Sequence, residues 1–326
     1  MIPERVVGAF YNSRMLKRRA LMVFPAAAWA SAVPVGAAAE RRRGKLVVIG
    51  GAEDKRHDRV ILRRFVELAG GPGAKIRVLS AASGDPDGAW ATYDAVFGAL
   101  GVSDRAPIPV PDRVAADSAA VTDLILEADG IFISGGDQNR LMDLIWETAA
   151  FRALHVAYHL RGACVGGTSA GAAVMSRHMI AQGSATRLPV KGAAGFDLGL
   201  GFLHRAMIDQ HFAERGRLAR LMSALAQRPQ QLGVGIDEDT ALIVERGTAI
   251  EVIGAGAVTL LDGRELVSDF ELVESAQGLQ MLGVRLHWLP AGHRYSANPL
   301  VQRAQAMPVA LREAIDMLVT PGPIRG

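Results

Sequence analysis

From Lys45 onwards, short apolar runs alternate with segments whose apolar residues recur at helical spacing. The apolar runs predict strands over 45–49, 75–79, 108–110, 130–133 and 163–165. The segments between them predict helices over 59–68, 90–100, 118–127, 140–148 and 150–160. Strands that alternate with helices of about three turns predict an α/β fold, with a mainly parallel central sheet and helices on both faces.

After Asp237 the pattern changes to short β-like runs separated by turn residues. These runs are 241–245, 249–253 and 257–261, followed by a strand over 284–289 and a closing helix over 308–319. They predict a hairpin-rich C-terminal extension to the sheet. The sequence contains no internal repeat and no low-complexity linker, so we expect one continuous domain over residues 40–326.

A glycine-rich turn, GGTSAGA over residues 166–172, joins the apolar run 163–165 to a predicted helix. Small residues on both sides of Ser169 allow a sharp turn that exposes its hydroxyl, which is the arrangement of a nucleophile elbow. Glycine pairs that begin at Gly50 and Gly135 also follow two of the predicted strands. In a parallel sheet, ligand sites form at the edge where the carboxyl ends of the strands meet. The same segment is consistent with an ordinary tight turn, so the interpretation depends on partners for the serine.

One of the eight histidines, His211, has the setting that a general base requires. It follows the apolar run 206–208 in the order Asp-Gln-His, at the same strand-end position as Ser169. An imidazole placed there can take the serine proton and return it to a leaving amine. The next apolar run ends in three acids that could hold the imidazole: Asp237, Glu238 and Asp239. Their spacing does not choose among them, and a solvated acidic turn is the alternative.

Three arginines follow His211 closely: Arg215, Arg217 and Arg220. On a helix that begins near Gly216, the last two share a face. Guanidinium groups beside a catalytic base suit a carboxylate-rich substrate, since each can bind a carboxylate through two hydrogen bonds. A solvated basic helix face is the alternative interpretation.

The composition narrows the class of protein. The net charge is +3 over 326 residues, and no basic face is interleaved with aromatic residues, so we expect no nucleic-acid partner. The single cysteine, Cys164, lies in a predicted buried strand, which excludes a disulfide framework and a cysteine-based metal site within one chain. We expect no metal and no cofactor.

Residues 1–39 have the layout of an export signal. A basic stretch precedes the mostly apolar run 20–35, and small residues at 37–39 supply a cleavage site. Two adjacent arginines in the basic stretch loosely resemble a twin-arginine signal. We expect a signal peptide over 1–39, with a possible upstream start artefact before Met15. The mature protein would then be exported, periplasmic or extracellular, without stable membrane insertion. An uncleaved anchor is the alternative.

Four segments together resemble the cyanophycinases. They are GGDQ, GTSAGA, DQHF with the three arginines after it, and DEDTA, and they begin at Gly135, Gly167, Asp209 and Asp237. The resemblance runs from about residue 45 to about 286–291, and DQHF with its arginine spacing is its most specific part. Cyanophycinases belong to a serine peptidase family that also contains the aspartyl dipeptidases, with a fold similar to class I glutamine amidotransferases.

The resemblance implies a catalytic triad of Ser169, His211 and Glu238, in which the motif position selects the acid. It implies an oxyanion hole formed by the backbone N–H groups of Ala170 and Gly136. The residues implied to shape the substrate pocket are Gln138, Asp209, Gln210, Arg215, Arg217 and Arg220.

The implied activity is that of an exported serine-type exopeptidase acting on cyanophycin. It would hydrolyse the polyaspartate backbone to β-aspartyl-arginine dipeptides through an acyl-enzyme on Ser169. Each repeat carries one free carboxylate and one guanidinium, and a pocket of arginines with Asp209 would offer opposite charges to both. The polymer is the expected partner, and a homodimer is a possible assembly. The alternatives are a dipeptidase acting on short Asp-X peptides and a non-catalytic binding protein on the same scaffold.

Overall fold

The computed structural model describes residues 43–298 and 307–323. The expected signal peptide, 1–39, lies outside the described residues. The strands are β1 Lys45–Ile49, β2 Ile76–Leu79, β3 Arg105–Pro107, β4 Gly130–Ile133, β5 Cys164–Thr168, β6 His178–Gln182, β7 Gly195–Leu198, β8 Ala206–Gln210, β9 Leu232–Ile236, β10 Thr240–Glu245, β11 Ala249–Gly254, β12 Ala257–Asp262, β13 Val267–Ser268, β14 Met281–Leu282, β15 Arg285–Pro290 and β16 His293–Ser296. The helices are α1 Val60–Ala69, α2 Pro86–Ala99, α3 Arg113–Ala116, α4 Ala119–Glu127, α5 Gln138–Ile145, α6 Ala149–Val156, α7 Ala170–Ala173, α8 Leu218–Gln227 and α9 Val309–Val319.

The central sheet has eight strands in the order β16-β11-β10-β1-β5-β4-β2-β3. The five strands from β1 to β3 in this order are parallel, and β10, β11 and β16 extend the sheet antiparallel beyond β1. Both faces are buried, because Leu46 and Val48 of β1 join one hydrophobic core while Val47 and Ile49 join the other. The mainly parallel α/β architecture predicted from the sequence is therefore confirmed.

Helix α1 shows how the sequence covers this sheet. Its buried residues form one stripe: Ile61, Leu62, Phe65, Val66 and Ala69. Phe65 packs on β5 at Gly166, where an added Cβ would lie 2.8 Å from the phenyl ring. Glycine at this position thus lets the helix approach the strand that carries the glycine-rich turn.

A second sheet holds four strands in the order β15-β12-β9-β8. Strands β8 and β9 are parallel neighbours, with Gln210 opposite Ile236, while β12 and β15 run antiparallel. The predicted extension is therefore divided between two sheets: β10 and β11 lengthen the central sheet, and β12 joins β9 in the second. Pairing of this kind depends on long-range register, which local alternation does not encode.

Several element boundaries differ from the predictions. The third strand is Arg105–Pro107 rather than 108–110, although the Ile108 N–H still bonds the Val78 carbonyl at 2.8 Å. Helix α2 begins at Pro86 rather than at residue 90, because Asp85 caps it and proline favours the first helical turn. Helix α6 continues as a π-helical turn, Ala157–Arg161. The β6–β7 hairpin was not predicted.

The described residues, 43–298 and 307–323, belong to one compact unit. Within the described ranges, 43–298 and 307–323, no helix has both the length and the apolar character that a membrane span requires.

Candidate active site

The turn after β5 has the geometry of a strained elbow. Ser169 has φ 52° and ψ −111°, and its N–H bonds the Ile49 carbonyl of the neighbouring strand at 3.1 Å. An added Cβ at Gly167 would lie 2.3 Å from the Gly171 carbonyl oxygen, so the close return of the chain requires glycine there. A serine in this sparsely populated conformation is typical of functional sites.

Ser169 lies at one end of a chain of hydrogen bonds. Its Oγ is 2.8 Å from His211 Nε2, and His211 Nδ1 is 2.5 Å from Glu238 Oε1. His211 comes directly after β8, and Glu238 comes two residues after the end of β9. Because these two strands are parallel neighbours, both residues lie at the same edge of the second sheet. The structure thus places His211 in contact with both of the other predicted triad residues.

The structure also distinguishes the three acids after β9. Asp237 accepts the backbone N–H groups of Ala213 at 3.1 Å and of Ala257 at 3.0 Å, and burial raises the pKa of its carboxyl group. Asp239 accepts the N–H of Asp54 at 2.8 Å. Both aspartates stabilise loops, while Glu238 contacts the imidazole.

The glycine pair after β1 supports the histidine. The Gly50 carbonyl accepts the His211 N–H at 2.7 Å. At Gly51, φ is +105° and an added Cβ would lie 2.2 Å from the ring carbon Cε1 of His211. The backbone at Gly51 therefore packs directly against the imidazole ring of His211. The sequence indicated this role only by placing the Gly50-Gly51 pair at a strand end.

The two predicted oxyanion donors flank the serine. Ala170 is the first residue of α7, where a backbone N–H has no intrahelical acceptor. Gly136 has φ +142°, and an added Cβ would lie 2.0 Å from the Ala82 carbonyl oxygen. Gly136 and Ser169 line the same cleft. Their function as an oxyanion hole stays a prediction.

The cleft has a volume of about 260 Å³. Its lining includes five of the six predicted pocket residues: Gln138, Gln210, Arg215, Arg217 and Arg220. The other wall, which sequence reasoning missed, runs from Ile180 to Gly183 at the end of β6. The Gln138 amide group fixes this wall by donating to the carbonyls of Ile180 at 3.2 Å and Ala181 at 3.1 Å.

Asp209 is the exception, because it is fully buried and does not line the cleft. Arg220 donates to its carboxylate from Nε at 3.0 Å and from Nη2, and Arg217 Nη1 lies at 3.3 Å. Burial raises the pKa of Asp209, and the two guanidinium groups oppose that shift. The expectation that Asp209 faces a substrate guanidinium is therefore wrong, since its oxygens are occupied by the protein's own arginines.

The three arginines differ in what remains to bind a ligand. Arg220 is buried, and its Nη1 also donates to the Gly183 carbonyl at 2.8 Å. Burial lowers the pKa of Arg217 to about 10, so this group stays charged at neutral pH. Within the described part of the chain, Arg217 donates hydrogen bonds from Nη1 alone, and its Nε and Nη2 donate none. Arg215 is exposed at the cleft.

No group of three or more His, Cys, Asp or Glu residues within 43–298 and 307–323 could hold a metal ion. The arrangement instead offers a nucleophile, a base, an acid that orients the base, and cationic groups for an anionic ligand.

The fold and this site define an α/β hydrolytic enzyme of the serine-peptidase class. Residues 46–252 match peptidase family S51, and the chain belongs to that family. It is 39% identical over 255 residues to a cyanophycinase from Geminocystis herdmanii, covering 78% of this chain and 94% of that protein. It is 37% identical over 251 residues to a cyanophycinase from Trichormus variabilis, covering 77% of this chain and 84% of that protein.

A solved structure shares the fold. The crystal structure of a peptidase from an acI-B1 Actinobacterium superposes with a TM-score of 0.55 at 23% identity, covering 78% of this chain and 98% of that one. The assignment to a serine-type peptidase family is therefore supported by sequence, and the fold by an independent structure.

Proposed function

We propose that this protein is an exported cyanophycinase, which hydrolyses the polyaspartate backbone of cyanophycin to β-aspartyl-arginine dipeptides. The observation that carries the proposal is the Ser169–His211–Glu238 hydrogen-bond chain, whose serine lines a cleft that also contains three arginines. The relatives named cyanophycinase, at 37–39% identity, support the choice of substrate.

In the proposed reaction, His211 Nε2 accepts the Ser169 hydroxyl proton while Oγ attacks the scissile carbonyl carbon. Nδ1–H donates to Glu238, which holds the required tautomer and stabilises the imidazolium. The tetrahedral intermediate collapses, the C–N bond breaks, and His211 returns the proton to the leaving amine. Water, activated by the same histidine, then hydrolyses the ester on Ser169.

The negative charge that develops on the carbonyl oxygen would be stabilised by the backbone N–H groups of Ala170 and Gly136. Donors fixed by the backbone need no reorganisation during the reaction, and losing one such donor typically costs about 3–4 kcal/mol of transition-state stabilisation. The helix start at Ala170 and the glycine-only conformation at Gly136 support this assignment.

Substrate selection would depend on carboxylate binding. Arg215, together with Nε and Nη2 of Arg217, would receive the free arginine carboxylate of a polymer repeat. Asp209 and Arg220 would support the site without contacting the substrate. Asp209 holds the side chain of Arg217, and Arg220 holds the cleft wall at Gly183. In this scheme, glutamine oxygens of the cleft or solvent, rather than Asp209, meet the substrate guanidinium.

The proposal is tested by incubating the purified enzyme with cyanophycin granules and, separately, with short Asp-X peptides. Clearing of granules by the wild type and not by Ser169→Ala is the expected result. Hydrolysis of the short peptides alone would assign the chain to dipeptidase activity instead. Binding of granules without any turnover would favour a non-catalytic protein on this scaffold.

Export rests on residues 1–39 alone, whose basic, apolar and small-residue regions follow the order of a signal peptide. N-terminal sequencing of protein recovered from cells tests it. A mature N-terminus near residue 40 is expected, and an intact Met1 or Met15 would contradict cleavage.

A further inference from the structure

Glu53 is a buried carboxylate beside the elbow that the proposed reaction does not use. It is 3% exposed, and it lies in the loop that follows β1. Its oxygens accept the hydroxyl of Tyr93 at 2.6 Å and the hydroxyl of Thr168 at 2.5 Å, and Lys55 Nζ lies 2.7 Å away. An ionised carboxylate only accepts hydrogen bonds, and each of these three neighbours is a donor. The Glu53 carboxylate thus links β5, the strand that leads to Ser169, with helix α2 and with its own loop.

The 49–54 loop, which we define as the last residue of β1 together with the residues up to Asp54, is anchored by Glu53 and contacts two of the proposed triad residues directly. Ile49 accepts the backbone N–H of Ser169, and Gly50 accepts the backbone N–H of His211 at 2.7 Å. A shift of this loop would therefore move nucleophile and base relative to each other.

The same loop also contacts Asp239, the sequence neighbour of the third triad residue. The Gly51 carbonyl accepts the Asp239 N–H at 2.9 Å, and Asp54 donates its own N–H to the Asp239 carboxylate at 2.8 Å. Asp239 adjoins Glu238 in sequence, so residues 49–54 contact the backbone around all three groups of the proposed triad.

This loop is held in an unfavourable backbone conformation. Ala52 has φ 50° and Gly51 has φ +105°, and Ser169 at the other end of the contact has φ 52°. Non-glycine residues in such regions are destabilising and persist only where surrounding contacts fix them. The buried Glu53 carboxylate, bonded to Thr168 immediately before the serine, provides such a contact.

We propose that Glu53 is a positioning residue, which acts through Thr168 and the 49–54 loop to hold Ser169 and His211 at reacting distance. This inference rests on the proposed function in one respect, the assignment of Ser169 as the nucleophile. It predicts that breaking the Glu53–Thr168 contact slows the attack by Ser169 and leaves ligand binding in the arginine cleft unchanged.

The sharpest variant is Thr168→Val, which removes the donor and keeps the side-chain shape, with Thr168→Ser as the matched control that keeps the hydroxyl. Glu53→Gln tests the carboxylate itself. We expect Thr168→Val and Glu53→Gln to lower kcat at least tenfold with KM within twofold. The rate of Ser169 labelling by a serine-directed phosphonate should fall by the same factor. Thr168→Ser should retain both rates within threefold.

A second control separates positioning from general stability. Glu127 ends α4 and accepts from Nε of Arg77 at 3.1 Å. Arg77 lies on β2, two places from the elbow strand β5 in the sheet, so Glu127→Gln alters a carboxylate contact away from the proposed triad. Its Tm should fall while its labelling rate stays that of the wild type.

Wild-type labelling rates in folded Thr168→Val would overturn the role of Glu53 and leave the nucleophile assignment intact. Absence of labelling in the wild type would overturn the proposed function, and this inference with it. Labelling by the phosphonate does not require the polymer. The labelling rates of the wild type and of Thr168→Val can therefore be interpreted even if cyanophycin is not the substrate.

Discussion

Replacing Arg220 by methionine removes the main partner of a carboxylate that has no exposure to solvent. Asp209 receives Arg220 Nε at 3.0 Å and a second hydrogen bond from Nη2. Methionine has a similar length and no charge, so the variant keeps most of the packing of α8 and leaves Asp209 with Arg217 alone, at 3.3 Å. The variant therefore isolates the electrostatic contribution of Arg220.

Removing one partner of a buried ion pair typically costs about 3–5 kcal/mol, because the other charge stays desolvated and unpaired. Arg217 keeps one contact to Asp209, so we expect the lower end, about 3 kcal/mol. With an m value of about 3 kcal/mol/M, the urea midpoint should fall by about 1 M at pH 8.

The loss should depend on pH. Burial already raises the pKa of Asp209, and losing Arg220 raises it further. The folded variant then holds a proton that the unfolded chain releases at a pKa of about 3.9. The contribution of Asp209 to the stability of the variant is thus greatest at low pH and falls as the pH rises towards the raised pKa of the folded state. The difference from the wild type should be smaller at pH 5 than at pH 8.

Equilibrium urea unfolding of the wild type, Arg220→Met and the double variant Asp209→Asn/Arg220→Met at both pH values measures these effects. The double variant removes both charges, so it should recover about half of the lost stability and show little extra pH dependence. A loss below about 1 kcal/mol for Arg220→Met, equal at both pH values, would refute the view that Arg220 compensates a buried charge.

Three further variants test other parts of the site and fold. Gly51→Ala places a Cβ against the His211 ring at a position with φ +105°. Turnover should therefore fall by at least a hundredfold while the circular dichroism spectrum stays unchanged. Wild-type turnover would contradict the role of Gly51 in holding the imidazole. Arg215→Ala should raise KM for the polymer about 10- to 150-fold, as expected for losing about 1.5–3 kcal/mol of charge-assisted bonding, and an unchanged KM would disprove the carboxylate site. Burial lowers the pKa of His159 to about 4, so the unfolded chain binds the proton first and stability is lost as the pH falls from about 6.5 towards 4. Urea unfolding of His159→Phe between pH 7.5 and pH 4.5 should show a shallower loss than the wild type, and identical slopes would argue against a buried neutral histidine.

Features that depend on local pattern could be predicted from the sequence. The alternation of apolar runs and amphipathic segments predicted the central α/β sheet, and the glycine-rich turn predicted a sharp bend at Ser169. His211 was found because a polar triplet ends an apolar run, which is also a local signal. The choice of Glu238 could not be made from spacing, because it depends on the β8–β9 register and on the contacts of Asp237 and Asp239.

Features that depend on distant contacts were missed or misjudged. The resemblance to the cyanophycinases implies that Asp209 shapes the pocket, but alternate residues of a strand face opposite sides, and the side chain of Asp209 is covered by Arg220. The β6–β7 hairpin has weak alternation and a long connecting loop, so neither it nor the cleft wall at Ile180 was visible. Glu53 follows a predicted strand end, and a polar residue there was the one available signal.

We propose that Ser169 cleaves the polyaspartate backbone of cyanophycin from a chain end. The most direct measurement is mass analysis of the soluble products during a time course of the wild-type enzyme and Ser169→Ala with purified cyanophycin. We expect β-aspartyl-arginine dipeptide to be the sole early product of the wild type, and the variant to form none. Free arginine, a ladder of longer fragments, or the same dipeptide from Ser169→Ala would contradict it.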